Sequence, residues 1–129
     1  PAKRYQKRKT ITRNFGSTVR AVVEVATKAR EEWKRKLYYK LILKERRIHV
    51  AWRVKMLKMA DCACNARTLD VFDEPKKGEK IAVIREIYPQ ISASLTRDLV
   101  KMISERKHLY RRTNTLLLTE IMESLKLYE

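Results

Sequence analysis

The chain has 129 residues, with 31 Lys and Arg against 15 Asp and Glu, a formal net charge of +16 and a pI of about 10.2. An apolar fraction of 44% with only two Gly and three Pro allows a real core and argues against a sandwich or barrel. Two Cys cannot staple a secreted mini-protein, and no apolar run approaches the roughly 20 residues that span a bilayer. A reducing intracellular compartment is therefore expected, with no membrane partner.

Charge divides the chain before structure does. Residues 1–60 hold 19 basic and four acidic residues, a net +15, whereas residues 61–129 hold 12 and 11, a net +1. Within the first part, residues 1–16 contain Lys3, Arg4, Lys7, Arg8, Lys9 and Arg13 and no acid. Such a segment has little apolar material to bury, so a basic arm, disordered when free, is expected there. Its expected role is to lie along a polyanion and release counterions, with Tyr5 and Phe15 placed to stack on bases. A solubilising tail or a nuclear-import patch has the same composition. A first residue Pro1 fits removal of an initiator Met or cleavage of a presequence. The acid-free, hydroxyl-bearing first 23 residues also suit a retained mitochondrial presequence.

Ser17 and Thr18, after Gly16, read as a helix start, and neither Gly nor Pro follows until Pro75. One single helical domain is expected over 17–129, opening with a long basic helix over about 17–60. Val22, Ala26, Ala29, Trp33, Leu37 and Leu41 form one stripe of that helix. A second stripe, Leu43, Val50, Val54 and Leu57, lies away from Leu41, Ile48 and Trp52, so the helix needs partners on two sides. Lys36, Lys40, Lys44 and Arg47 fall between the stripes, a row spanning about 16 Å, balanced nearby only by Glu45. With Arg20, Arg46 and Arg53 they are the expected phosphate contacts. Trp33 and Trp52 read as core, and Tyr38 and Tyr39 as candidates for base stacking at a wet interface.

The long helix is expected to end or kink around residues 61–65. A loop over about 73–80 follows, then a short helix over about 81–88 stopped by Pro89. Ser92 or Ser94 is expected to cap a last helix over about 94–127. Its apolar face runs through Leu95, Leu99, Met102, Ile103, Leu109, Tyr110, Leu117, Ile121 and Tyr128, interrupted by Arg106 and Thr113. Either a break near Asn114 or an outward-reaching Arg106 resolves the interruption. The stripe is not a clean heptad, so the expected fold is all-α: a long basic helix and a small helical bundle behind the N-terminal arm.

No constellation supplies chemistry. Structural zinc needs four ligands, and beside Cys62 and Cys64 only His49 and His108 offer themselves, so no metal is expected within one chain. The two histidines have no nucleophile or carboxylate arranged around them, and two glycines cannot build a phosphate loop, so neither an enzyme, a cofactor nor a small-molecule substrate is expected. Leu109-Tyr110-Arg111 resembles the tripeptide of a mitochondrial assembly-factor family. There it stands near the N-terminus, and nothing is assigned from it here.

A basic arm, a helix wanted on two sides and a near-neutral helical remainder together resemble ribosomal proteins in type. The expected function is an RNA-binding structural component of a ribonucleoprotein, ribosomal and either mitochondrial or cytoplasmic. Its basic half would contact rRNA phosphates and its C-terminal half would pack on neighbouring proteins. The alternative is a stand-alone helical nucleic-acid binder, such as a viral double-stranded RNA binder, nucleocapsid or silencing suppressor.

Overall fold

The computed structural model describes the backbone of residues 2–31 and 38–129 and the side chains of 9–28 and 39–129. Among the described residues the chain is all-helical, without a strand: α1 (Ala2–Glu31), α2 (Tyr38–Leu43), α3 (Ile48–Arg67), a 3-10 turn (Leu69–Val71), α4 (Lys76–Lys101) and α5 (Lys107–Lys126). The chain forms two compact units, Pro1–Val54 and Lys55–Glu129, with the boundary inside α3. The sequence predicted one domain from residue 17 onward.

In the first unit, the expected irregular arm has helical backbone. Ala, Lys, Arg and Gln are strong helix formers, and nothing breaks the run until Gly16. Gly16 has φ 88° and ψ 170°, a region open essentially to glycine, and there α1 divides into two helical segments. The division predicted between residues 16 and 17 is thus a kink between helices. α2 packs on the second segment of α1, with Ala21, Tyr39 and Ile42 buried.

The single helix predicted over 17–60 does not form. The chain turns at Lys44 and is non-helical over 45–47 before α3 begins. No Gly or Pro marks this break; a carboxylate does. Glu45 Oε1 accepts the Arg47 backbone N–H at 3.1 Å and its Nε–H at 2.8 Å, satisfying a donor just ahead of α3. The Arg47 carbonyl then accepts from Val50 and Ala51 at 2.9 and 2.7 Å, opening the new helix. Ile42, on neither predicted stripe, is buried on α2, while Trp52 of one stripe and Val50 and Val54 of the other are all buried on α3, with Ala51 between them. Leu57, expected on the second stripe, is exposed.

In the second unit, α3 runs to Arg67, past the predicted end at 61–65. The connection is shorter than the expected 73–80, because α4 starts at Lys76. Glu74 accepts the Gly78 N–H at 3.2 Å, capping one orphan donor of the first turn; a Cβ on residue 78 would stand 3.0 Å from that carboxylate oxygen. Pro89 does not stop the helix. Arg85 and Pro89 are both exposed, so the i+4 bond that the proline removes lies on the solvent side of α4, and the Gln90 side-chain amide donates to the neighbouring Glu86 carbonyl at 2.9 Å. The buried stripe Ile81, Ile84, Ile87, Ile91, Leu95 and Leu99 runs through it unbroken. Each such side chain contributes about 1.5–3 kcal/mol of burial, enough in sum to offset a helix proline.

The predicted helix over 94–127 is instead split after Lys101 and continues unbroken through Asn114, while Arg106 is exposed. Met102 is extended, and Ser104 accepts the Arg106 N–H on Oγ (3.2 Å) and the Lys107 N–H on its carbonyl (3.3 Å). Ile103 and Leu109, expected on the apolar face, are exposed. Ser92 and Ser94 are not caps; both lie buried within α4. Ser92 donates to Asn114 Oδ1 at 3.1 Å, while Asn114 Nδ2 donates to the Ser92 carbonyl (3.3 Å) and to Thr96 Oγ1 (3.1 Å). The buried amide is satisfied, and it fixes the register of α5 against α4 as an antiparallel hairpin.

A buried ion pair joins α3 to α4: Lys55 Nζ lies 2.5 Å from Asp98 Oδ2, with the two side chains 2% and 12% exposed. At the surface, Arg67 pairs with Glu120 at 3.0 Å, and the Tyr128 hydroxyl donates to Asp70 at 2.5 Å. Removing one member of a buried pair strands the other's charge. Asp98→Ala is expected to cost about 3–5 kcal/mol in urea unfolding, and Lys55→Met with Asp98→Leu together to recover most of that. A loss below about 1 kcal/mol for Asp98→Ala would mean that the pair is effectively solvated.

Candidate nucleic-acid interface

The expected contacts fall into three groups. The side chains of Lys3, Arg4, Tyr5, Lys7, Arg8, Lys36 and Tyr38, and of Trp33, lie outside the described residues. Lys9, Arg13, Lys40, Lys44 and Arg46 are exposed and, among the described residues, form no ion pair. Phe15, between them in sequence, is 67% exposed and presents its ring to solvent. Arg20 is half-buried, with Nε 3.9 Å from Glu24.

Arg47 and Arg53 are engaged within the chain. The Arg47 guanidinium meets Glu45 through Nε at 2.8 Å and Nη2 at 3.2 Å. That side-chain hydrogen bond holds the Glu45 carboxyl below its ordinary range, so the pair stays charged and locally neutral. Arg53 Nη1 donates to the His49 carbonyl at 2.5 Å, and its guanidinium carbon stands 4.4 Å from the centre of the Trp52 ring. The planar group is spent on its own helix. The cationic row through Lys36, Lys40, Lys44 and Arg47 required one continuous helix, and the break over 44–47 removes that geometry.

The aromatic candidates divide as well. Tyr39 on α2 is only 5% exposed, so it has no free ring face for a base. Trp52 is buried, as its place on the apolar stripe predicted.

His49 and His108 are exposed, and no three His, Cys, Asp or Glu side chains gather into a metal-holding group among the described residues. Cys62 is buried and Cys64 exposed. Burial raises the Cys62 thiol from its ordinary 9.0 to about 11.

No protein-family model, curated protein or solved structure matches this chain.

What the surface offers is positive charge. In the first unit, cations outnumber acids several-fold, and exposed Lys and Arg stand on both α1 and the α2–α3 connection.

The thiols provide a check on the packing of α3. A thiol reagent at mildly alkaline pH is expected to label Cys64 in the native chain and Cys62 only after unfolding, read by mass spectrometry. The neutral Cys62 thiol stabilises the fold in full below about pH 9, and that stabilisation is lost as pH rises toward about 11, so Cys62→Ala should flatten the alkaline fall in stability. Equal native labelling of both cysteines would place Cys62 at the surface.

Proposed function

We propose that this chain is a structural RNA-binding component of a ribonucleoprotein, ribosomal in type. Its N-terminal half contacts rRNA phosphates and its C-terminal half packs on neighbouring proteins. One observation carries the reading: residues 1–60 hold a net +15, and Lys9, Arg13, Lys40, Lys44 and Arg46 are exposed and form no ion pair among the described residues. In a free protein such an excess repels itself and destabilises the compact state. Against a phosphate backbone each cation releases condensed counterions, and affinity follows their number. The second unit, nearly balanced in charge and bearing exposed Leu57, Leu116, Met122 and Leu127, offers apolar surface to protein neighbours.

No residue is assigned a catalytic role, and no cofactor enters the reading.

The test is the salt dependence of RNA binding. With six or more phosphates neutralised, log K against log salt is expected to fall with a slope steeper than about −4. Changing Lys9, Arg13, Lys40, Lys44 and Arg46 to Gln should keep helical circular dichroism, since Lys, Arg and Gln rank closely in helix propensity, while making the slope shallower. In lysate the protein should sediment with ribosomal subunits in a sucrose gradient. A slope near zero for the unaltered chain would refute the reading; RNA affinity combined with a free, soluble oligomer in the gradient would favour a stand-alone binder.

A further inference from the structure

The near-neutral average of the second unit conceals a segregation of charge. Most of its cations away from the α4–α5 connection are engaged: Lys55, Lys58 and Arg67 in ion pairs, Lys76 and Lys80 over the Phe72 ring at 5.1 and 4.5 Å, and Lys77 over Tyr128 at 5.8 Å. The end of the α4–α5 hairpin is different. Arg97, Lys101, Arg106, Lys107, Arg111 and Arg112 stand there, five of them exposed and Lys107 half-buried. None of the six forms an ion pair among the described residues. Two acids share the stretch, and Asp98 is buried against Lys55, which leaves Glu105 alone at the surface.

The hairpin brings these charges together. Asn114 is tied to Ser92 and Thr96, so residues 97–112 form the end of the hairpin beyond that tie. Arg97 and Lys101 are one turn apart on α4, and Lys107 and Arg111 one turn apart on α5, each pair separated by about 6 Å of rise. Ile103 at the connection is fully exposed, and Val100 and Leu109 beside it are 62% and 59% exposed.

We propose that this hairpin end is a second RNA-binding surface, a phosphate clamp on the unit whose net charge gives no hint of one. The inference rests on the RNA-binding reading above. Four of the six cations are Arg, whose planar fork pairs with phosphate through two parallel hydrogen bonds. Ile103 is an aliphatic wedge of the kind that unstacks a base step beside a backbone contact. An anionic bilayer is the competing occupant of a cationic, partly apolar tip. It is disfavoured because no exposed Trp, Tyr or Phe stands there to anchor at the headgroups, Tyr110 being half-buried.

The experiment uses the full chain with all six cations changed to Gln, a bulged RNA hairpin as probe, and vesicles of mixed phosphatidylcholine and phosphatidylserine in parallel. Affinity at low salt is expected to fall about tenfold or more, and the salt slope to become shallower by about 3–4, near 0.7 for each lost phosphate contact. Should the sixfold variant fold poorly by circular dichroism, Arg111→Gln with Arg112→Gln alone is expected to make the slope shallower by about 1.4. If the unaltered chain fails to bind RNA, the general reading falls and this one with it. If the unaltered chain binds and the tip variants match it in affinity and slope, only the hairpin clamp is overturned. Loss of vesicle binding with RNA binding intact would overturn it in favour of a lipid surface.

Discussion

The Lys55–Asp98 ion pair is the contact on which the second unit turns. Two charges removed from water are costly unless each compensates the other, so the pair holds α3 and α4 at the distance a lysine stem can bridge. It also decides what the surface looks like. Asp98 sits next to Arg97 in sequence, and on the outside it would neutralise part of the hairpin end. Drawn inward to Lys55, it leaves the six neighbouring cations facing solvent with Glu105 alone. An internal electrostatic requirement thereby sets an external field.

The same economy of polar groups governs the hairpin. A small core with an asparagine inside it needs every donor and acceptor matched, and Asn114 is matched by Ser92 and Thr96. A slip of one turn along α5 would carry that amide off its partners while keeping the apolar face of the helix inward. Apolar contacts make the helices stick, and the polar triad selects one register.

The helical class, the discontinuity at Gly16, the punctuation before Lys76 and the burial of Trp52 were legible in composition and periodicity. The breaks at 44–47 and 102–106 were not, because no Gly or Pro makes them. They depend on single side chains, Glu45 and Ser104, bonding to backbone N–H groups close by in sequence, and such residues occur as readily inside helices. Pro89 misled in the opposite direction, since its effect depends on whether the freed carbonyl faces water. Ser92 looked like a cap because its partner, Asn114, is 22 residues away. At the interface, total charge was legible and its distribution was not. Arg47 turned to Glu45, Arg53 turned to Trp52, and Tyr39 went inside, each through a contact that spacing does not record. A charge count in short windows would have found residues 97–112, where whole-half averages cancel.

The kink at Gly16 makes two helix macrodipoles where an unbroken α1 would have one. The first belongs to the segment from residue 2 to residue 15, whose opening turn has no acid and two cations in its sequence, Lys3 and Arg4. Positive side chains at the positive end of a helix weaken it, by a few tenths of a kcal/mol each at low ionic strength. Screening relieves that repulsion, and a phosphate docked at the helix start reverses its sign. Salt therefore acts on this segment in two opposed ways. It raises the segment's helicity in the free chain, and it weakens the hold of the same segment on a polyanion.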